Sequence, residues 1–272
     1  MEPSLRDMQV VILCGGQGTR IRAVAEDRPK PMVEVGGKPI LWHIMKYYHC
    51  FGLRRFVLAL GHQGDRIVDY FANYQLRHGD FTMNTRDSAA RLFHASSDAA
   101  DGGIEDWEII MAHTGEQTMT GGRIKRVAQY ITGNGNTFLA TYGDGLSNVN
   151  LHQLLDFHRK HGRTATLTGV HQPTTFGIVE SDDSSGLVHS FREKPTLNGY
   201  INGGFFVFNQ AIFDEIEGDD TVLEDAPFRS LIQKQNLGVF RHDGFWQCMD
   251  HFKDYTTLNR MWDRGSAPWK VW

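Results

Sequence analysis

The sequence has no long hydrophobic run and no excess of positive charge. No stretch of the 272 residues approaches the roughly 20 apolar residues of a membrane-spanning helix, and residues 1–7 lack the apolar core of a signal peptide. We therefore expect a cytoplasmic protein with no membrane partner. Lysine and arginine total 28 against 32 for aspartate and glutamate, a net charge of −4, so no overall positive field exists to hold nucleic acid.

Cysteine is also scarce. Cys14, Cys50 and Cys248 are odd in number and scattered along the chain, which argues against a disulfide framework and against a cysteine zinc site. The 13 histidines form no HExxH motif, and we expect His158 and His161 on a solvated helix face rather than at a zinc ion.

Hydrophobic patterning predicts an α/β fold in the first part of the chain. An apolar run at 8–13 ends in glycines, as a strand buried on both faces does, and a second buried strand is predicted at 56–60. Helices are predicted at 40–48, directly after Pro39, and at 65–74. This alternation is typical of an open, mostly parallel sheet flanked by helices.

The alternation continues to residue 170 and then changes. Helices are predicted at 123–131 and 151–161, and strands at 137–142 and 164–170. Shorter elements follow, at 176–180, 187–191, 203–208, 210–217, 222–235 and 253–264. No linker rich in proline or serine separates the two parts, so we predict one domain over residues 1–272.

Residues 76–115 are the least regular part of the sequence. Strands are predicted at 81–84 and 107–111, around a loop at 87–103 that is rich in serine, alanine, aspartate and glycine. The length of this segment predicts a projecting hairpin. It is either a contact between subunits of a homo-oligomer or a mobile surface loop.

A glycine-rich loop, GGQGTR, occupies residues 15–20 after the first strand. Ile21 stands where a dinucleotide-binding fingerprint needs its third glycine, and Pro39 follows Gly37 and Lys38 where a Walker A loop needs Ser or Thr. The loop is therefore either a turn whose backbone amides wrap an anion or a plain tight turn.

A rigid cation follows this loop, because Pro29 and Pro31 hold Lys30 in a stiff extended segment. The glycine loop with this motif resembles the signature of sugar-1-phosphate nucleotidyltransferases. Within that family, five segments resemble the glucose-1-phosphate cytidylyltransferases, namely 30–45, 119–128, 142–145, 201–206 and 267–270.

The resemblance implies a Rossmann-like nucleotidyltransferase fold, with a nucleotide-binding core at 8–170 and an α+β sugar-phosphate-binding extension at 171–272. It also implies transfer of CMP from CTP to glucose 1-phosphate, with CDP-glucose and pyrophosphate as products and Mg²⁺ as cofactor. The nucleophile is a phosphate oxygen that is largely ionised at neutral pH, so the reaction needs positive charge and positioning rather than a general base.

Candidate site residues follow from the motifs and the resemblance. We expect Arg20 and Lys30 to be catalytic. Nucleotide-binding candidates are Leu13, Gly15, Gly16, Gly18, Thr19, Arg20, Lys30, Thr120, Gly122 and Arg123. Sugar-phosphate-binding candidates are Glu193, Lys194, Asn202 and Gly203.

Two aspartates are the expected metal ligands. Asp144 stands between two glycines directly after an apolar strand, and Asp250 matches the family's second metal carboxylate. One or two carboxylates suit Mg²⁺, which keeps water and phosphate oxygens as its other ligands. In isolation, the Gly-Asp-Gly segment reads equally well as an Asx turn, and Thr120 as the N-cap of a helix.

Several positions near the sugar side depart from the expected cytidylyltransferase pattern. They are Asn148, Asn150, Thr175, Cys248 and His251. Alternatives are therefore a cytidylyltransferase for another sugar 1-phosphate, or uridylyl or thymidylyl transfer. A catalytically silent, ligand-sensing relative is the third alternative, but it predicts loss of Arg20, Lys30 or a metal aspartate, and all are present.

Overall fold

The chain folds around one mixed, mostly parallel sheet. The computed structural model describes residues 5–16, 18, 28–94, 105–132, 136–172, 174, 176–195 and 199–272. The strands of the main sheet are β1 (Gln9–Cys14), β4 (Arg55–Leu60), β7 (Glu108–His113), β8 (Thr137–Tyr142), β10 (Ala165–Val170), β13 (Ile201–Asn202), β14 (Phe206–Asn209) and β15 (Leu237–His242).

The sheet runs from β7 through β4, β1, β8 and β14 to β10, and β15 pairs with the far side of β10. The pairs β1–β4, β1–β8, β4–β7 and β10–β15 are parallel. β14 is antiparallel to both of its neighbours, and β13 pairs antiparallel with the end of β10. The predicted open, mostly parallel α/β architecture is confirmed.

Both faces of this sheet are buried, which explains the apolar runs in the sequence. In β1, Val10 and Ile12 belong to one hydrophobic cluster, while Val11 and Leu13 belong to a second cluster on the opposite face. Side chains alternate along a strand, so a strand covered on both sides needs apolar residues at nearly every position.

The helices that cover the faces are α1 (Ile40–Cys50), α2 (Gly64–Ala72), α3 (Tyr74–His78), α4 (Thr120–Arg126), α5 (Leu151–His161), α6 (Ala226–Gln233) and α7 (Phe252–Asp263). Pro39 occupies the N-cap of α1, and its missing N–H costs nothing there because the first turn of a helix has free donors anyway. Gly162 ends α5 with a φ of 64°, a left-handed conformation that glycine adopts without strain.

Several predicted boundaries were wrong. The predicted helix 65–74 is two helices, α2 and α3, because Asn73 interrupts it, and the predicted helix 123–131 begins earlier, at Thr120, and ends in the 3₁₀ turn Ala128–Tyr130. The segment 210–217 is a 3₁₀ helix, Gln210–Glu215. His158 is buried and bonds through Nδ1 to the Thr166 hydroxyl at 2.8 Å, so the predicted solvated face was wrong for it.

Short paired strands lie outside the main sheet. They are β2 (Glu34–Val35), β3 (Lys38–Pro39), β5 (Phe81–Asn84), β6 (Asp87–Phe93), β9 (Gly145–Ser147), β11 (Ile178–Ser181), β12 (Val188–Arg192) and β16 (Trp246–Cys248). The predicted hairpin of 81–84 with 107–111 was wrong, because β5 pairs with β6 and the segment 107–111 falls mostly in β7 of the main sheet. The first part of the predicted loop 87–103 is thus a strand, while 95–103 falls outside the described residues. Among the helices that the structure describes, none is long and apolar enough to cross a membrane.

A buried histidine links α1 to the C-terminal segment. The Nε2 of His43 lies 2.7 Å from the Val35 carbonyl, and the indole of Trp269 donates to its Nδ1 at 3.4 Å. These two partners fit a neutral ring protonated at Nε2. Burial lowers the pKa of His43 to about 4, so the ring stays neutral in the folded protein near neutral pH.

This burial predicts a pH-dependent stability. The unfolded chain protonates His43 near pH 6.5 and the folded chain only near pH 4, so the free energy of unfolding falls as the pH drops through that window. The contribution between pH 7 and pH 5 is about 2 kcal/mol. Urea unfolding at both pH values should show a smaller loss in His43→Gln than in the wild type. The exposed His152, replaced by Gln, should retain the wild-type loss, and equal losses in all three proteins would contradict the prediction.

Candidate active site

A cavity of about 820 Å³ opens at the carboxyl edge of the main sheet. Its walls include the segments that follow β1 and β8, the first turn of α4 and the loop before it. Ligands collect at this edge in open α/β sheets. The predicted site residues that line it are Leu13, Gly15, Gly16, Gly18, Lys30, Thr120, Arg123, Asp144, Asn202 and Asp250.

Other predicted residues lie elsewhere or outside the described part of the chain. A Cβ at Gly122 would come within 2.6 Å of the Cα of Asp219, and a Cβ at Gly203 would come within 2.6 Å of Val170. Both glycines therefore allow close packing behind the cavity. Thr19 and Arg20 fall outside the described residues.

Glu193 and Lys194 follow β12 and are not among the residues that line the cavity in the described structure. Both side chains are more than half exposed, and they pair with each other at 3.0 Å. Lys194 has a φ of 45°, which is uncommon for a residue other than glycine. Their predicted place at a sugar phosphate stays a prediction.

Strand pairing brings the two predicted metal carboxylates together. β9 begins directly after Asp144 and pairs antiparallel with β16, which ends two residues before Asp250. The Met249 amide donates to the Asp144 carbonyl at 2.8 Å and extends this pairing. Residues more than 100 positions apart are thus fixed side by side at the cavity edge.

The ammonium of Lys30 lies between these carboxylates. Its Nζ is 2.6 Å from Asp144 Oδ2 and 2.5 Å from Asp250 Oδ1. The lysine side chain is 14% exposed, and the two aspartates are 26% and 30% exposed. Burial alone would lower the pKa of Lys30, but the two carboxylates outweigh it and raise the pKa above its ordinary value. The site therefore holds a firmly protonated cation.

The backbone around Lys30 differs from the extended segment that the sequence predicts. Lys30 opens a short 3₁₀ helix, Lys30–Met32, with Pro29 in an extended conformation before it. The Met32 amide donates to the Pro29 carbonyl at 2.8 Å. The two prolines still restrict the backbone, but they do so within a tight turn. This turn packs beside Gly18, where a Cβ would lie 3.4 Å from the Lys30 Cβ.

Arg123 is a buried clamp rather than an exposed cation. Its guanidinium donates to the carbonyls of Gly15, Leu60, Gly115 and Glu116 and to the hydroxyl of Thr114, at 2.7 to 3.2 Å. These acceptors come from the ends of β1 and β4 and from the segment after β7. The sequence predicts a direct contact with the cytosine, ribose or phosphate. The structure instead occupies the guanidinium with protein acceptors.

The position of the Arg123 guanidinium explains why residues 15 and 61 are glycines. A Cβ on Gly15 would come within 2.1 Å of the Arg123 guanidinium, and a Cβ on Gly61 within 2.5 Å. Any other residue at these positions would displace the guanidinium from its acceptors. Because Arg123 binds the Gly15 carbonyl, it also fixes the orientation of the peptide at the start of the glycine loop.

Residues that sequence reasoning missed connect the two ends of the cavity. Tyr142 and Trp246 line it, and Glu224 lies behind its wall. The Trp246 indole donates to the Gly203 carbonyl at 2.8 Å, and the Glu224 carboxylate accepts from Thr120 and Tyr142. Met119, not Thr120, is the N-cap of α4, so the alternative of Thr120 as a plain cap was wrong.

Asparagines that depart from the expected pattern have structural partners. The Asn150 side chain caps α5 by accepting from the Gln153 amide at 3.1 Å. Asn148 accepts from the Phe245 amide at 2.8 Å and so joins the loop after β9 to the approach of β16. Both departures are accounted for by folding. Thr175 lies outside the described residues.

The hydrogen bonds of Arg123 predict that this residue stabilises the fold. Arg123→Lys leaves one ammonium in place of a fork that reaches five acceptors, so buried carbonyls lose their donors. We expect the free energy of unfolding in urea to fall by about 2 kcal/mol or more. Arg126→Lys is the control, because Arg126 is on the same helix but its ion pair with Asp219 is exposed. An equal loss of unfolding free energy in the two variants would show that the buried hydrogen bonds of Arg123 stabilise the protein no more than the exposed ion pair of Arg126 does.

The chain is similar to known proteins over nearly its whole length. The nucleotidyl transferase family model matches residues 9–262. The glucose-1-phosphate cytidylyltransferases of Salmonella typhi and Salmonella typhimurium are each 44% identical over 266 residues, which cover 97% of this chain and 100% of each relative. The crystal structure of HddC from Yersinia pseudotuberculosis has a TM-score of 0.63 at 24% identity, covering 94% of this chain and 99% of that one, and shows the fold alone.

The family match spans the whole main sheet and both aspartates that the sequence predicts as metal ligands, and the relatives extend over nearly the full chain. The protein is a nucleotidyltransferase and belongs to the nucleotidyl transferase family.

Proposed function

We propose that this protein transfers CMP from CTP to glucose 1-phosphate and releases pyrophosphate and CDP-glucose. The observation that carries the proposal is Lys30 held between Asp144 and Asp250 at the edge of a large cavity. The substrates are suggested by the cytidylyltransferases to which the chain is 44% identical. Strands from residues 9–242 share one sheet, which supports a single catalytic unit.

The reaction needs charge and alignment rather than a base. A sugar phosphate is largely a dianion at neutral pH and attacks the α-phosphate of CTP directly, with pyrophosphate leaving on the opposite side. Negative charge accumulates around the reacting phosphorus, so fixed cations stabilise the transition state more than the ground state. Lys30 supplies such a cation, because a lysine ammonium is protonated at neutral pH.

A divalent cation, which we propose is Mg²⁺, fits the two carboxylates. Asp144 and Asp250 offer oxygen ligands on one edge of the cavity, and Mg²⁺ takes few protein ligands and fills its shell with water and phosphate oxygens. When bound, the metal neutralises phosphate charge. Lys30, which neutralises the same carboxylates in the ligand-free chain, would then be available to a phosphate oxygen.

The remaining candidates divide between the two substrates. For the nucleotide we propose the loop amides of Gly15, Gly16 and Gly18, and Leu13, Thr120 and the side chains of Thr19 and Arg20. Arg123 and Gly122 act indirectly, through the clamp and through packing. For the sugar phosphate we propose Glu193, Lys194, Asn202 and Gly203, of which Asn202 lines the cavity.

Substrate choice is the first test. Pyrophosphate release should be measured with Mg²⁺ while CTP, UTP, dTTP, ATP and GTP are each combined with glucose 1-phosphate and with other sugar 1-phosphates. We expect the highest kcat/KM with CTP and glucose 1-phosphate. Preference for another sugar or another nucleotide would correct the substrate and leave the reaction class, whereas no release with any pair would favour a silent, ligand-sensing relative.

The second test replaces the three charged residues Lys30, Asp144 and Asp250. Lys30→Ala, Asp144→Ala and Asp250→Ala should each lower kcat by about 100-fold or more, because each removes charge at the reacting phosphates or at the metal. The control is Lys160→Ala, an exposed lysine at the end of α5, which should leave kcat unchanged. Circular dichroism and unfolding midpoints should show that the variants remain folded. A wild-type rate in any site variant would remove that residue from the proposed centre.

A further inference from the structure

A chain of hydrogen bonds behind the cavity wall joins its nucleotide end to its sugar end. The chain, which we name the Glu224 network, consists of Thr120, Glu224, Tyr142 and Asn202. Thr120, Tyr142 and Asn202 line the cavity, whereas Glu224 is not among its lining residues. Glu224 therefore reaches the cavity through Thr120 and Tyr142, the two lining residues that it binds.

Each carboxylate oxygen of Glu224 accepts a hydrogen bond from a residue in a different wall of the cavity. Oε2 accepts from the Thr120 hydroxyl at 2.8 Å, and Oε1 accepts a short hydrogen bond from the Tyr142 hydroxyl. The Thr120 oxygen in turn accepts from the Leu223 amide at 2.9 Å, so its orientation is set from both sides. One ionised group thus orients two hydroxyls that belong to α4 and to the end of β8.

The Tyr142 hydroxyl has one proton, which it donates in a hydrogen bond to the Glu224 carboxylate. Burial and the neighbouring carboxylate raise the pKa of Tyr142, so the phenol remains a donor at any working pH. Its oxygen is then available as an acceptor, and Asn202 Nδ2 donates to it at 3.0 Å. Asn202 Oδ1 accepts from the Gly204 amide at 3.0 Å. The amide of Asn202 is therefore held in one of its two orientations.

An amide held in one orientation presents a donor and an acceptor at fixed positions, which suits a ligand with several hydroxyls. These two bonds use one of the two Nδ2 protons and one lone pair of Oδ1, so Asn202 can still donate to one hydroxyl and accept from another. A flipped amide would exchange the donor and acceptor positions and leave both partners wrongly matched.

Glu224 is itself placed by the packing of its segment against α4. The Gly122 amide donates to the Thr221 carbonyl at 3.2 Å, and the Met119 amide donates to the Asp219 carbonyl at 2.8 Å. A Cβ on Gly121 would lie 2.7 Å from the Thr221 oxygen, so glycine is needed there for the segment to come this close. The approach of this segment brings Glu224 within reach of both Thr120 and Tyr142.

We propose that Glu224 is a positioning residue that holds Asn202 and Thr120 in the orientations that bind the sugar 1-phosphate and the nucleotide. This inference rests on the proposed function, because that function assigns Asn202 to the sugar and Thr120 to the nucleotide. Glu224 touches neither substrate. Its effect reaches the sugar through Tyr142 and Asn202, and the nucleotide through Thr120.

The experiment compares steady-state kinetics of Glu224→Ala, Glu224→Gln and Tyr142→Phe, with the substrate pair that the wild type uses best. We expect Glu224→Ala and Tyr142→Phe each to raise the KM for the sugar 1-phosphate about tenfold, the scale of one lost hydrogen bond, and to change kcat less than threefold. Glu224→Gln keeps an acceptor for Tyr142 and should recover most of the affinity. Glu224→Ala should also raise the KM for the nucleotide through Thr120, whereas Tyr142→Phe should not.

Two further comparisons separate positioning from stability. In the double variant Glu224→Ala/Tyr142→Phe, the KM for the sugar 1-phosphate should rise no further than in either single variant, because both act through Asn202. Glu215→Ala is the matched control, since Glu215 binds the Ser230 hydroxyl and Lys234 away from the cavity. It should lower the unfolding midpoint and leave both KM values unchanged.

The kinetic measurements can contradict the proposal in two ways. An unchanged sugar KM in Glu224→Ala or Tyr142→Phe, or additive effects in the double variant, would overturn the proposal. If Glu224→Ala does not fold, Glu224→Gln and Tyr142→Phe still test it through Asn202. Failure of the proposed function shows separately, as a wild type that releases no pyrophosphate from CTP and glucose 1-phosphate.

Discussion

Two ionised carboxylates at one half-buried position repel each other, so positive charge placed between them stabilises the pair. In this protein the charge is the ammonium of Lys30, and the rest of the site is arranged around it. The pairing of β9 with β16 brings Asp144 to Asp250, and the proline-flanked turn brings Lys30 to both. Under the proposed function the same two carboxylates hold a metal and the ammonium serves the phosphates, so one set of charges serves both the free and the bound protein.

A second constraint acts on the walls of the cavity rather than on its charge. The carbonyls at the ends of β1 and β4 point toward a space that must be filled by donors, since buried carbonyls without partners are costly. Arg123 fills this space from α4 and ties these strand ends to the segment after β7. Positive charge at the cavity is thus used in two ways. Lys30 lies between the two carboxylates at its edge, and Arg123 binds backbone carbonyls inside its wall.

The sequence predicted those parts of the fold in which local pattern and tertiary burial agree. β1, β8 and α5 were found within a residue or at their observed bounds, because strands buried on both faces and an amphipathic helix ended by glycine have strong local signals. β9 and β16 were missed, because each has only three residues and exists only through its partner. The helix predicted at 65–74 is interrupted at Asn73, a tertiary detail that its periodicity did not reveal.

The candidate site divides in the same way. Lys30 and Asp144 were identified as functional candidates from local facts, namely the flanking prolines of the one and the position of the other after an apolar strand. Asp250 was identified only through the resemblance to the family, because the short strand before it has no signal of its own. The inward direction of the Arg123 guanidinium is not local, since it depends on carbonyls from three other segments. Glu224 belongs to no motif, and its place follows only from the packing of residues 218–225 on α4.

The choice of sugar is the point at which folding and function are most easily confused. Asn148 and Asn150 differ from the expected pattern, but one joins two strands and the other caps a helix, so neither substitution requires a different sugar. Selectivity instead depends on groups that face the cavity with a defined donor and acceptor. Asn202 is such a group, and its orientation depends on a carboxylate behind the wall. Under the proposed function, a substitution at Glu224 would therefore change the match to a sugar without altering any residue that touches the sugar.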